Sequence, residues 1–83
     1  MLFLAEFYLP ASAALADIAR RAALGAAEAA SAGPPVRLIQ TVFVPSDEIC
    51  FALYQACSEA DVTAAGSLAG LEFERVAPAL AVL

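Results

Sequence analysis

An alanine-rich stretch over residues 13–32 limits the folds open to this chain more than any other feature of its sequence. Alanine is the best helix former, and both ends of the stretch carry helix-boundary signals. At the start, Ser12 offers a hydroxyl that can accept a hydrogen bond from an unpaired backbone N–H. Gly33 is placed to end the helix, and Pro34-Pro35 prevent its continuation. The sequence therefore predicts one long helix, whose second half carries small residues and should approach its neighbour closely.

Strand-like segments lie on both sides of this helix. Residues 2–9 are rich in aromatic and aliphatic side chains and stop at Pro10, which is typical of a strand. Residues 36–44 are apolar at both alternating positions, and a strand of that kind is buried on both faces. The chain therefore begins with a strand, a helix and a second strand.

The remaining sequence repeats the pattern of strand, helix and strand. A turn at Pro45-Ser46-Asp47 separates the second strand from a third, and Ser58 resembles the first residue of a capping box. Pro78 restricts the last strand to a sheet edge or a bulge. The predicted later elements are a strand over residues 49–56, a helix from Ser58 to about residue 68 that Gly70 ends, and a strand over residues 73–82.

The resulting order, β-α-β-β-α-β, is that of the ferredoxin-like fold. In that fold four antiparallel strands lie in the order 4-1-3-2, and both helices cover one face of the sheet. We therefore predict a single α+β domain over residues 1–83. The chain is 63% apolar, against about 45–50% in ordinary globular proteins, so the open face should also be apolar. A homodimer with its two sheets packed face to face, a dimeric α+β barrel, would bury that face.

The charge pattern excludes some partners. The net charge is −5, and four arginines are the only cationic side chains, so the chain lacks the cationic cluster that phosphate binding requires. We therefore expect no nucleic-acid partner. No apolar run reaches the roughly 18–20 residues of a membrane span, and the first residues lack the basic region of a signal peptide. We expect a cytoplasmic protein without a membrane partner, in which Cys50 and Cys57 are free thiols.

The run over residues 36–76 has a recognisable pattern. It contains an extended strand, a Pro-x-Asp-Glu turn, Cys-Phe-x-x-Tyr, a Ser-capped helix, Gly-Leu and Arg-Val. With this run, and over nearly its whole length, the chain resembles a small bacterial family of unknown function whose best-known kind is a nickel-binding protein with a ferredoxin-like fold. The resemblance implies the fold and dimerisation, and it raises a divalent metal such as nickel as a cofactor. Nickel favours imidazole ligands, and this chain contains no histidine.

Side-chain alternation along the strands predicts one candidate site. Six polar or reactive side chains are predicted to share the open face: Glu6, Tyr8, Gln40, Cys50, Tyr54 and Arg75. Their apolar neighbours there are predicted to be Leu4, Leu38, Val42 and Ala52, while Phe3, Ala5, Phe7, Phe51, Leu53 and Val76 should lie under the helices. Because the first and last strands are neighbours, Glu6 and Arg75 could form a cross-strand ion pair. An apolar surface with a few convergent polar groups is typical of a small-molecule site.

Three functions fit this predicted site. The first is a homodimeric domain that binds a small apolar molecule or a metal between its sheets. The second is a cofactor-free enzyme of the dimeric α+β barrel type, such as a cyclase, isomerase or monooxygenase. In it Glu6 is the general base, and Tyr8, Tyr54 or Arg75 stabilises the developing anion. The third is a purely structural interface.

Other reactive residues have simpler interpretations. We interpret Asp47 and Glu48 as carboxylates of a water-exposed hairpin tip. Both cysteines are interpreted as structural, since free cysteine usually behaves as a small hydrophobe. Arg20 and Arg21 are assigned to the solvated face of the first helix.

Overall fold

The computed structural model describes residues 1–82 and confirms the ferredoxin-like α+β fold. Four antiparallel strands form one sheet in the order β2-β3-β1-β4, with β1 and β3 inside. The elements in chain order are β1 (Leu2–Tyr8), α1 (Leu15–Ala32), β2 (Val36–Val44), a single 3-10 turn (Pro45–Asp47), β3 (Ile49–Ala56), α2 (Glu59–Leu68) and β4 (Arg75–Ala79).

The start of α1 differs from the prediction. Its first residue is Leu15, Ala14 is in the N-cap position, and no side chain caps it. The segment before it forms a turn, in which the Ala13 N–H donates to the Pro10 carbonyl at 2.9 Å. Ser12 lies inside this turn, so its predicted capping role is wrong. Gly33 does follow the last helical residue, as predicted.

The second helix is capped as predicted, but the last strand is shorter than expected. Ser58 Oγ accepts a hydrogen bond from the Asp61 N–H at 3.3 Å. Strand β4 covers only Arg75–Ala79. It starts later than predicted because Phe73 packs against the core, and residues 80–82 lie outside the strand. The Phe73 ring packs against those of Phe7 and Tyr54, with centroid distances of 5.5 and 5.9 Å.

Arg21 and Glu48 have structural roles that the sequence did not reveal. Arg21 Nη2 donates to the Ala69 carbonyl at 2.9 Å and so satisfies a carbonyl group at the end of α2. Glu48 Oε2 accepts from the Ala11 N–H at 2.8 Å and ties the β2–β3 turn to the loop before α1. Glu48 has a φ of 52°, a left-handed conformation that few non-glycine residues adopt. Asp47 is exposed, as predicted.

The small residues of α1 allow a close helix–helix contact, as predicted. A methyl group built on Gly25 would lie 2.6 Å from the Ala65 carbonyl oxygen and 2.9 Å from the Ala69 Cβ. Both helices therefore lie close together on one face of the sheet. The main core lies between them and the sheet and includes Phe3, Phe7, Ile18, Tyr54 and Val62.

We predict that Gly25→Ala lowers the free energy of unfolding by about 1–3 kcal/mol, the usual effect of overpacking. In an open helix the same substitution would stabilise by about 1 kcal/mol, but here the methyl group meets backbone. Gly33→Ala is the matched control, because its methyl group would meet only the Ala29 carbonyl oxygen at 3.8 Å. Urea unfolding of both variants tests this; an unchanged or higher stability of Gly25→Ala would contradict the close packing.

Candidate functional site

The sheet surface opposite the helices is the candidate site, and we call it the open face. Residues paired across an antiparallel ladder share a face, so the register identifies its members. The apolar ones are Leu2, Leu4, Val42, Val44, Ile49, Phe51, Leu53, Ala77 and Ala79, and the polar ones are Glu6, Tyr8, Arg37, Gln40, Gln55 and Arg75. A solvated sheet face normally carries mostly polar residues. Here the apolar residues predominate, as the composition predicted.

Four of the six predicted site residues lie on the open face. Glu6 and Tyr8 are on the inner strand β1, Gln40 is on the edge strand β2, and Arg75 is on the edge strand β4. Glu6 is half-buried, and the other three are exposed. The structure therefore brings these four side chains to one surface.

The predicted placement of Cys50 and Tyr54 on the open face is wrong. Both are 0% exposed and belong to the core under the helices. Cys50 is opposite Phe7 in the β1–β3 register, and Tyr54 is opposite Phe3. Even-numbered β3 residues thus share a face with odd-numbered β1 residues, so Phe51 and Leu53 occupy the open face instead.

An irregularity in β2 explains why Leu38 was predicted on the wrong face of the sheet. The β2–β3 register shifts between Leu38 and Gln40, which leaves Ile39 without a counterpart. This bulge reverses the alternation, so Leu38 lies opposite Tyr54 on the helix side while Gln40 lies on the open face. The predicted open-face positions of Leu38 and Ala52 are wrong, and those of Leu4 and Val42 are confirmed.

Glu6 and Arg75 are direct neighbours across β1 and β4, but their side chains are not joined. They are paired in the register, and the adjacent Glu74 N–H donates to the Glu6 carbonyl at 2.8 Å. The ion pair found within residues 1–82 is an exposed one between Arg20 and Asp17, at 3.1 Å. The predicted Glu6–Arg75 ion pair is therefore not formed in the single chain. Both charged groups are free to contact something placed over the open face.

Tyr54 and Cys50 form a buried pair of titratable groups on the opposite side of the sheet. The Tyr54 hydroxyl has no hydrogen-bond partner. Burial, followed by repulsion from the negative charge of Cys50 when it is ionised, raises the pKa of Tyr54 to about 12. Burial also raises the pKa of Cys50, against a smaller opposing effect of a backbone hydrogen bond at Phe51. Both groups are therefore neutral at physiological pH, and Cys50 is not available as a thiolate nucleophile or ligand.

The residues present do not fit a nickel site. Within residues 1–82 no three His, Cys, Asp or Glu side chains converge to hold a metal ion. Cys50 is buried in the core, while Cys57 is exposed beyond the end of β3. Among the described strand residues, Glu6 is the one carboxylate on the open face.

Two concavities lie at the end of the sheet where β1 begins. One, of about 420 Å³, is lined by residues that include Met1, Pro35, Val36, Gln55 and Cys57. The other, of about 370 Å³, is formed by Met1, Leu2 and residues 78–80. Both are mainly apolar and open to solvent. In the described part of the chain, no helix is long and apolar enough to cross a membrane.

Comparison with known proteins supports the fold. No protein-family model matches the chain, and no curated protein matches it. The chain is similar to the protein in the crystal structure of SCO4226 from Streptomyces coelicolor A3(2), with a TM-score of 0.78 and full coverage of both chains. The two sequences are 15% identical. A likeness at this identity establishes the shared fold and does not extend to ligand, metal or assembly.

We predict that Tyr54→Phe leaves the free energy of unfolding at neutral pH unchanged or raises it by about 1 kcal/mol. The substitution removes a buried hydroxyl that has no partner, and such a group costs free energy on burial. Urea unfolding at pH 7 tests this, with Tyr8→Phe as the exposed control. A loss of stability well above 1 kcal/mol would contradict the unpaired state of the Tyr54 hydroxyl.

The raised pKa of Tyr54 predicts that the protein loses stability in alkali. The folded pKa of Tyr54, about 12, lies above the unfolded value of about 10. As pH rises between these values, the unfolded state loses its proton first, so stability falls by up to about 3 kcal/mol. Unfolding measured across this range should show the fall in the wild type and a smaller one in Tyr54→Phe. If the free energy of unfolding falls equally with pH in both proteins, the raised pKa of Tyr54 is contradicted.

Proposed function

We propose that the protein is a homodimeric binding module in which two copies pack their open faces together and hold a small, largely apolar molecule between the sheets. The observation that carries this proposal is the composition of the open face: apolar side chains on all four strands surround one half-buried carboxylate, Glu6. Such a surface combines a docking face with the few polar groups that orient a ligand.

Burial of the apolar residues supplies the driving force for association. Leu4, Phe51 and Leu53 form a cluster on the two inner strands, and each is only half-buried in the single chain. Completing the burial of a large apolar side chain contributes up to about 1.5–3 kcal/mol. A partner sheet about 10 Å away, as in sheet-on-sheet packing, would cover all three.

The charges on the open face favour a second copy of the chain as the partner. The face carries Glu6 together with Arg75 and Arg37, so it presents both signs to an identical surface. Arg37 Nη2 donates to Gln55 Oε1 at 3.0 Å, which holds this arginine along the rim. An isologous interface needs a self-complementary surface of this kind.

Glu6 limits the chemistry of the ligand. A carboxylate enclosed between two sheets needs a hydrogen-bond donor or a positive charge. The preferred ligand is therefore a small apolar molecule that carries a donor group, such as an aromatic amine. A nickel site is not part of this proposal, because its ligands are not assembled. The proposal places the protein in the cytoplasm, where Cys57 would remain a free thiol.

A second candidate is a cofactor-free enzyme that uses the same surface. Glu6 would be its general base, and Tyr8 and Arg75 share the open face with it. Tyr54, the third anion-stabilising group considered, is on the other side of the sheet and takes no part.

An interface filled by side chains alone would instead have a purely structural role.

We predict that the wild type is a dimer at micromolar concentration and that Leu53→Glu is a monomer with unchanged circular dichroism. The substitution would place a charge in the apolar centre of the interface, where it has no partner. Leu24→Glu is the control, because Leu24 is 63% exposed on α1, and it should remain a dimer. Multi-angle light scattering decides between these outcomes, and a monomeric wild type would refute the proposal.

A second prediction concerns the ligand. A fluorescent naphthylamine should bind the wild-type dimer, and Glu6→Gln should weaken its binding about tenfold or more, since hydrogen bonds to charged groups contribute about 1.5–3 kcal/mol. Arg20→Gln, on the exposed surface of α1, is the control. Fluorescence titration measures both affinities. If the wild type and Glu6→Gln bind the naphthylamine equally while both remain dimers, the ligand-binding role is contradicted and a purely structural interface is favoured.

A further inference from the structure

The segment that follows β4 exposes two large apolar side chains. Strand β4 ends at Ala79, and Leu80 and Val82 beyond it are 101% and 98% exposed. Their exposure exceeds that of the large apolar side chains on the open face, of which Val42 is 48% exposed. Neighbouring apolar side chains that project fully into water are a feature of interaction surfaces.

A concavity of matching character lies at the same end of the sheet and extends to the opposite edge. Its volume is about 420 Å³, and its lining includes Met1, Pro35, Val36, Gln55 and Cys57. The β2 edge has no neighbouring strand in the single chain. The exposed segment therefore follows one edge strand, and the concavity extends along the end of the sheet from Met1 to the start of the other edge strand.

The strand register places both features at one level along the strands. Ala79 is paired with Leu2, Leu2 with Gln55, and Gln55 with Arg37, so one row crosses the whole sheet. The exposed segment leaves the β4 end of this row, and the concavity lies at its β2 end. Within one chain β1 and β3 lie between the exposed segment and the start of β2.

A two-fold axis parallel to the strands would bring the two features together in a homodimer. Rotation about this axis lays the β4 edge of one sheet over the β2 edge of the other, because β2 and β4 are the outer strands. The rotation leaves levels along the strands unchanged. The segment after Ala79 then lies over the start of β2 in the other copy, beside its concavity, and the symmetric arrangement occurs at the second edge. An axis across the strands would instead carry the segment to the wrong end of the partner.

We infer that residues 80–82 of each chain dock into the concavity at the start of β2 in a second copy, with Leu80 and Val82 as the inserted side chains. The inference rests on the proposed homodimer and adds its axis and a second contact region. The contact would fill an apolar concavity and bury two exposed apolar side chains at once. It would also cover part of an open sheet edge, which folded proteins otherwise have to protect.

The first test is the dissociation constant of the dimer, measured by analytical ultracentrifugation. Replacing both Leu80 and Val82 by Ser should raise it about tenfold or more, as expected when buried aliphatic side chains are lost from an interface. Leu24→Ser, on the helix side of the molecule, should leave it unchanged. An unchanged dissociation constant in the double variant would overturn the inference, while the dimer itself would still stand.

The second test uses Cys57 as a reporter inside the concavity. Leu80→Cys and Val82→Cys are each oxidised with copper(II)–phenanthroline. Two copper(II) ions each accept one of the two electrons released, with two protons, when two thiols form a disulfide. At least one of them should yield a disulfide-linked dimer that Cys57→Ser in the same chain abolishes. The wild type and Leu24→Cys are the controls and should yield no comparable product.

The outcomes separate this inference from the proposed function. A wild-type dimer in which neither new cysteine links to Cys57 overturns the inference alone. A monomeric wild type overturns the inference and the homodimer together. A Cys57-dependent link in a wild-type-like dimer supports both.

Discussion

The constraint on which this structure depends is that its sheet is apolar on both faces while its two helices cover only one. The chain has 83 residues and is 63% apolar, and a domain of this size buries only about 60–65% of its unfolded surface. The helix side of the sheet is covered by close packing. Gly25 lets α1 approach α2, and Phe73 fills the space beside Phe7 and Tyr54. The open face has no such cover in the single chain. The proposed association of two open faces would remove this imbalance, and the candidate site would then lie within that contact.

Features with strong local signals were predictable from the sequence. The order of the elements, the end of α1 at Gly33 and the Ser58 cap of α2 all follow from local chemistry, and the topology follows from their order. The start of α1 was less predictable, because the turn at residues 10–13 takes up Ser12. The roles of Arg21 and Glu48 were hidden for a different reason. Each bonds to backbone far away in sequence, and no local pattern indicates such a contact.

The candidate site was predicted only in part, because β2 and β3 are apolar on both faces. Alternation identifies the buried face only when polar and apolar residues alternate, and neither strand offers that contrast. The bulge at Ile39 and the offset between β1 and β3 then reversed the parity of Leu38, Cys50 and Tyr54. Glu6, Tyr8, Gln40 and Arg75 were placed on the correct face. The ferredoxin-like fold is common to proteins of many functions, so the site itself has to support any assignment.

The most direct test of the central claim is oxidative footprinting of the wild type by mass spectrometry, at concentrations above and below its dimer dissociation constant. If two open faces pack together, Phe51 and Tyr8 become protected from hydroxyl radicals as the concentration rises. Leu24, on the helix side, should keep a constant rate of oxidation. Equal oxidation of Phe51 at all concentrations, or protection of Leu24 instead, would contradict the account.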